Sequence, residues 1–214
     1  MRFFRLGGSA APSLDAVKFD TTGYEFQGEP QPGKLRVWYT SDGDGLGLHL
    51  FAIPPDLPQR LKSTEELRRF YERLTESASV KMAEVSVLEV GSCLAVRTVM
   101  LVPQQPSGLT CLGTLTVPFR DFSFVLKCQC AEGSPTGLKE ALLIDRYLAI
   151  HEPVVVGEQV QLPGFDPNTP EHDGEFPNAP IARARRVLNR LATSLTVAAE
   201  VQNSPRFTLF SKTP

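Results

Sequence analysis

Four runs of alternating or apolar residues follow one another between residues 82 and 130, and they limit what this chain can fold into. Only short stretches rich in Gly, Pro, Ser and Asp separate them. Connections this short join antiparallel neighbours, because a crossover between parallel strands needs a dozen residues or more. The sequence therefore predicts an antiparallel meander, with strands at 83–90, 93–102, 109–117 and 122–130.

The last of these strands also predicts which side of the sheet carries the core. Successive side chains of a strand point to opposite faces. One face would carry Phe122, Phe124, Leu126, Cys128 and Cys130. The other would carry Ser123, Val125, Lys127 and Gln129. We expect the first set to face the core, since a slip of one residue would expose it.

A hairpin is predicted before the meander. The strands would be 35–40 and 46–53, with the Asp42-Gly-Asp44-Gly turn between them. A calcium loop that began at Asp42 would need a glutamate at its twelfth position, which is Ile53. Turn chemistry is therefore the better interpretation. Residues 17–19 and 24–26 are expected as short edge strands.

Two helices flank the meander. Ser63 and Glu66 form a capping box ahead of an apolar stripe, which predicts a helix at about 64–78. A second helix is expected from Leu138 to about Ala149, with Ser134 as its cap and enough apolar residues to be well buried. Residues 153–156 and 159–162 would then be extended.

The character of the chain changes near residue 161. No lysine or arginine occurs from residue 147 to 182, and this span holds six acidic residues and several prolines. An arginine-rich amphipathic helix is expected from Pro180 to near Ala199, followed by a short strand at 207–210. We therefore divide the chain into an α+β body, 1–160, and an extension, 161–214. The extension would consist of an acidic Pro-rich linker and this helix, without being an independent domain.

No constellation of catalytic or metal-binding residues stands out. The four cysteines lie in apolar or alternating runs, where buried thiols are a better interpretation than a zinc cluster. The three histidines are isolated, and the sequence has neither a nucleophile elbow nor a glycine-rich nucleotide loop. We expect no enzyme activity, no cofactor and no metal.

Charge and hydropathy limit the classes of partner and the locations that the sequence favours. With 22 basic and 24 acidic residues, the net charge is −2, which does not favour a nucleic-acid binder. No apolar run is long enough to span a membrane. The apolar part of the N-terminus is too short for a secretory signal, so a cytoplasmic protein is expected.

The order of these elements resembles the PsbP/Mog-like superfamily, which includes the DcrB-like proteins. The resemblance covers about 20–150, and it is carried by residues 46–54, the helix that follows Ser63, and residues 90–97 and 122–130. It implies one antiparallel sheet, formed by the meander and the N-terminal hairpin and sandwiched by helices. It also implies roles in docking or chaperoning. The region beyond residue 160 departs from that pattern, and no functional residue carries over.

Two functional hypotheses follow. The favoured one is a cytoplasmic adaptor that binds a protein partner, or a second copy in a homodimer, through the sheet surface and the C-terminal helix. That helix could dock on its own body or on another chain. Its docking residues would be Arg183, Arg186, Arg190, Leu188, Leu191 and Leu195. The alternative is a small-molecule binder or enzyme with a cavity between sheet and helices, lined by Trp38, Tyr39, His49 and Arg97.

Overall fold

The computed structural model describes residues 12–157 and 159–211, without the side chains of Ser77 and Gln159. The N-terminal segment on which the predicted location depends, and Glu158 of the acidic stretch, lie outside the described residues. The strands are β1 (Val17–Lys18), β2 (Glu25–Gln31), β3 (Leu35–Tyr39), β4 (Gly45–Phe51), β5 (Lys81–Val90), β6 (Cys93–Pro103), β7 (Leu109–Pro118), β8 (Ser123–Ala131), β9 (Val154–Val156), β10 (Gln159–Gln161) and β11 (Thr196–Val197). The α-helices are α1 (Thr64–Thr75), α2 (Leu138–Leu148), α3 (Pro180–Ser194) and α4 (Ala199–Gln202).

Seven strands form one antiparallel sheet in the order β2-β3-β4-β8-β7-β6-β5. The meander and the N-terminal hairpin are confirmed, and strand β4 joins them by pairing with β8. Gly43 has a φ of 87° in the hairpin turn, a conformation that glycine adopts without steric cost. The α+β fold class predicted from the sequence is therefore confirmed.

The predicted core face of β8 is also confirmed. Phe124, Leu126, Cys128 and Cys130 are fully buried, whereas Lys127 on the opposite face is exposed. Helix α3 covers this core face and packs mainly on β7 and β8. A Cβ atom at position 113 would lie 2.8 Å from the Leu188 side chain, so glycine there allows the close approach of α3.

Helix α1 packs on the other face of the sheet, against β5. Its Ser63 cap is confirmed, since the serine hydroxyl accepts a hydrogen bond from the Glu66 amide. Leu67 lies in a second apolar cluster with Val96, Phe207 and Leu209. The sheet is thus sandwiched between helices. The helix that covers its core face is α3, which the sequence placed in the extension.

The burial predicted for helix α2 is wrong. Leu138, Leu142 and Leu148 are 55%, 41% and 44% exposed, because only a narrow side of the helix meets the body. The predicted serine cap is also wrong. The residue before the helix is Gly137, which has a φ of 74°, and its amide donates to Glu132.

The C-terminal region differs from the prediction in two places. Helix α3 ends at Ser194 because Leu195 turns to extended backbone, and Val197 then pairs with Val17. Strand β1 is thus paired with β11. The strand predicted at 207–210 is reduced to one isolated bridge, which joins Phe210 to Leu61.

Candidate docking surfaces

The apolar side of helix α3 is occupied within the chain. Leu188 and Leu191 are fully buried and Leu195 is 3% exposed, all within one core cluster shared with β4, β7 and β8. These are the leucines that the sequence suggested for partner docking. The helix therefore docks on its own body, and its leucines are not available to a partner while the fold is intact.

Arg183, the first of the predicted docking arginines, is used to hold the fold together. Its Nε and Nη2 atoms donate to the two carboxylate oxygens of Asp44, at 2.9 and 3.0 Å. Its guanidinium also donates to the backbone carbonyls of Asn178 and Ala131. Since Asp44 is buried in the β3–β4 turn, the pair fixes that turn against α3.

The other two predicted arginines line a shallow basin of about 450 Å³ beside the β3–β4 turn. Arg190 donates to the carbonyl of Thr22 at 2.7 Å, and its guanidinium lies 5.4 Å from the centre of the Tyr24 ring. Arg186 donates to the carbonyl of Pro177 at 2.8 Å, and it remains exposed. The structure thus brings the three arginines to one side of α3, but each has partners within the chain.

Arg185 was not singled out from the sequence, although it is the most buried of the arginines on this helix, at 5% exposure. It donates to the carboxylates of Glu84 and Asp173 and to the backbone carbonyl of Asn168. A signal was present, because Arg185 follows Ile181 by four residues and precedes Leu188 by three, on the apolar stripe. The segment expected to act as a linker therefore lies against the body, held by Arg185.

The residues suggested for a cavity do not meet. Trp38 packs against Phe19 and Phe26 on the core side of the sheet. His49 lies on the opposite face, where its ring stacks on Phe51 at 5.7 Å and burial lowers its pKa. Arg97 lies on β6, separated from β4 by two strands, and donates to Asn189 of α3.

The cysteines are free and buried. Cys111 lies opposite Cys130 in the β7–β8 ladder, and burial raises the pKa of Cys111 to about 12. A thiol with so high a pKa is a poor nucleophile at neutral pH. Within residues 12–157 and 159–211, no three His, Cys, Asp or Glu side chains are arranged to hold a metal ion.

Eight of the thirteen large apolar side chains that are exposed among the described residues lie on residues 138–161, which we call the arm. It comprises α2 and the β9–β10 hairpin. Among the residues that the structure describes, β9 and β10 pair only with each other. Its exposed apolar side chains are Leu138, Leu142, Leu148, Ile150, Val154, Val155, Val156 and Val160. Ile150 is 78% exposed and Val155 is 67% exposed, which is unusual for side chains of this type.

A cleft of about 440 Å³ lies at the base of the arm, and we call it the arm cleft. Tyr147 stands in its wall, stacked on His151 with ring centres 4.5 Å apart and tilted against Phe165 at 5.3 Å. The Tyr147 hydroxyl donates to the carbonyl of Pro163 at 2.7 Å. This hydrogen bond fixes the ring between α2 and the acidic segment.

A smaller apolar groove of about 320 Å³ lies on the α1 side of the sheet. Phe51, Ile53 and Tyr71 line it, and Ile53 is 64% exposed. The sequence suggested the sheet surface for docking without locating a patch on it, and this groove lies on that surface. It exposes fewer apolar side chains than the arm does.

Comparisons with known proteins give only distant similarities. No protein-family model and no curated protein matches the sequence. A structure from Bacteroides thetaiotaomicron VPI-5482 is 7% identical, with a TM-score of 0.35, and covers 55% of this chain; the match spans 39% of that protein's length. The cyanobacterial PsbP protein CyanoP, from Synechocystis sp. PCC 6803, is 10% identical with a TM-score of 0.37, over 70% of this chain and 95% of its own.

A protein of unknown function from Pseudomonas aeruginosa, PA94, is 11% identical with a TM-score of 0.31, over 62% of this chain and 84% of its own. A PsbP protein is thus among the structures that resemble this one, in agreement with the element pattern of the sequence. With TM-scores this low, the similarities carry no argument about function.

None of the helices in the described part of the chain is long and apolar enough to cross a membrane.

Proposed function

We propose that this protein is a non-enzymatic interaction module that binds a protein partner through the arm. The observation that carries the proposal is the cluster of eight exposed apolar side chains on residues 138–161. A concentration of exposed apolar side chains on one part of a folded domain is typical of an interface. A two-stranded hairpin is also marginal when it stands alone, so a partner that covers it would stabilise it.

Charge favours a particular kind of partner. The span from residue 147 to 182 carries acids but no lysine or arginine. Arg146, just before it, is paired with Glu175. An apolar surface with an acidic border fits a partner whose own apolar patch is bordered by basic side chains. A cytoplasmic location remains a prediction of the sequence.

The alternative function, a small-molecule binder or enzyme, has less support. Trp38, His49 and Arg97 lie on different parts of the sheet, as described above. The space beside Lys139 and Asn168 has a volume of only about 20 Å³, which is little more than one water molecule needs. The groove of about 320 Å³ between the sheet and α1 is lined by none of Trp38, His49 and Arg97.

The test is affinity capture from cell extract with the full chain as bait and quantitative mass spectrometry as the readout. The bait variants are Val155→Glu on the arm, Ile53→Glu in the sheet groove, and Leu74→Glu on the outside of α1. All three side chains are more than half exposed, so the variants should fold alike. We expect a partner that the wild type captures to be lost with Val155→Glu and to be retained with the other two variants. If Ile53→Glu loses it and Val155→Glu keeps it, the proposal is wrong about the surface.

Scattering mass measurements of the same variants test whether the partner is a second copy. A dimer that becomes a monomer only in Val155→Glu would identify this chain as its own partner. If neither capture nor self-association depends on Val155, the arm is not a docking surface.

A further inference from the structure

We infer that the arm cleft receives a lysine or arginine side chain of the docked partner. This inference rests on the docking function proposed above, and it names the chemistry that the partner must bring. Three features of the cleft carry it: aromatic walls, an acidic lining, and its position at the base of the hairpin.

The walls offer aromatic faces. Tyr147, His151 and Phe165 line the cleft on one side, and the hydrogen bond from Tyr147 to Pro163 holds the central ring in place. Aromatic faces attract ammonium and guanidinium groups through the ring quadrupole. A volume of about 440 Å³ is ample for the end of one long side chain.

The lining is acidic. Three carboxylates face the cleft: Asp166, Glu171 and Glu175. Arg146 is the only lysine or arginine among the lining residues of the described chain, and it is paired with Glu175 at 2.6 Å. Asp166 is paired loosely with Lys81, at 3.6 Å. Glu171 takes part in no ion pair among the described residues, so its carboxylate is free to meet an incoming cation.

Thr169 also lines the cleft, and its Oγ1 atom makes no hydrogen bond within the described part of the chain. This atom is buried from solvent, so a cation in the cleft does not reach it in this conformation.

The position of the cleft ties it to the docking surface. Strand β9 begins three residues after His151, and β10 ends three residues before Gly164, another lining residue. Both strands of the hairpin therefore lead from the walls of the cleft. Ile150 stands at its rim, 78% exposed. A partner segment on the valines of the hairpin would therefore lie next to residues that line the cleft.

The experiment is a titration of the isotopically labelled full chain with ethylguanidinium chloride, followed through backbone amide resonances in NMR spectra. Ethylurea, which has a similar shape and no charge, is the matched control ligand, and sodium chloride keeps the ionic strength constant. We expect saturable shifts at Tyr147, His151, Phe165 and Thr169 with ethylguanidinium, and none with ethylurea. Absence of shifts at these residues, or equal shifts with both ligands, would overturn the inference.

Two variants locate the effect. Glu171→Gln should weaken ethylguanidinium binding about two- to fivefold, the value of one exposed charge pair. Phe165→Leu should weaken it through loss of an aromatic face. Glu89→Gln, on the exposed side of β5, is the matched control and should leave binding unchanged. An equal loss of ethylguanidinium affinity in the Glu171 and Glu89 variants would show that binding depends only on the overall charge of the protein. This result would contradict the inference.

The outcome is separable from that of the docking proposal. If partner capture depends on Val155 but ethylguanidinium does not bind in the cleft, the docking proposal is supported. The inference that the cleft binds a cationic side chain is then wrong. If ethylguanidinium binds but no partner depends on Val155, the docking proposal fails. The cleft would then bind organic cations without any role in docking, so the inference would fail as well.

Discussion

Asp44 and Arg183 lie 139 residues apart in the chain and are joined by two hydrogen bonds, from Nε and Nη2 of the arginine to the two carboxylate oxygens. Fork-to-fork pairing of this kind is both strong and geometrically specific. It attaches the turn of the N-terminal hairpin to the helix that covers the core. The N-terminal hairpin and helix α3 are thereby stabilised together.

Removal of the Asp44 or the Arg183 side chain should lower the stability of the fold and show that the two residues are energetically coupled. We expect Asp44→Ala and Arg183→Ala each to lower the free energy of unfolding by about 1.5–3 kcal/mol, the usual worth of hydrogen bonds to charged groups. The double variant should cost clearly less than the sum, because each single change leaves the other group without its partner. Urea denaturation of the four proteins measures the coupling, and strictly additive losses would contradict it.

The leucines of α3 should behave as core residues. Leu188→Ala is expected to lower the free energy of unfolding by about 2–5 kcal/mol, through lost burial and the cavity that remains. Leu142→Ala, the same substitution on the exposed side of α2, should change it by about 0.5 kcal/mol or less. Similar small losses for both, measured by denaturant titration, would show that α3 is only loosely attached.

Arg185 should control the attachment of the acidic segment. Arg185→Met leaves the carboxylates of Glu84 and Asp173 without their buried partner, and breaking such a group typically costs about 3–5 kcal/mol. We expect a glutamate-specific protease to cleave faster after Glu171 in this variant than in the wild type. Arg186→Met, on the exposed side of the same helix, is the control. Equal cleavage rates in the two variants would contradict the assigned role.

The ion pair between Arg146 and Glu175 should stabilise the fold in a way that depends on pH in the acid range. The hydrogen bond from Arg146 lowers the pKa of Glu175 below its ordinary value of 4.5. Because the pKa is lowered in the folded state, the contribution of the pair is present above pH 4.5 and is lost as the pH falls through the lowered pKa. Arg146→Gln should therefore raise the pKa of Glu175 in an NMR titration of the side-chain carboxyl. An unchanged pKa would show that the pair does not form in solution.

The meander was predictable because its signal is local. The alternation from Phe122 to Cys130, which only Val125 interrupts, indicates which face is buried, and the short loops allow only antiparallel neighbours. The apolar stripe of α3 was equally visible. What the stripe could not show was its partner, because a stripe does not distinguish docking on the chain's own sheet from docking on another molecule.

The errors share one cause, which is that burial depends on the rest of the fold. The leucines of α2 suggested a buried helix, but α3 covers the core face of the sheet and leaves Leu142 and Leu148 exposed. The spacing of Arg183, Arg186 and Arg190 suggested a free basic face, whereas the carbonyls of Asn178, Pro177 and Thr22 each accept a hydrogen bond from one of them. The arm cleft was equally hidden, since its walls come from α2 and from a segment that the sequence presented as a linker.

The central claim is that α3 is part of the folded core. Native-state hydrogen exchange of the full chain tests it most directly. The amides of Leu188 and Leu191 should exchange with the same opening free energy as those of Leu115 and Leu126 in β7 and β8, since one cooperative unit protects them all. Exchange of the α3 amides at a much lower opening free energy, while the sheet stays protected, would contradict the account.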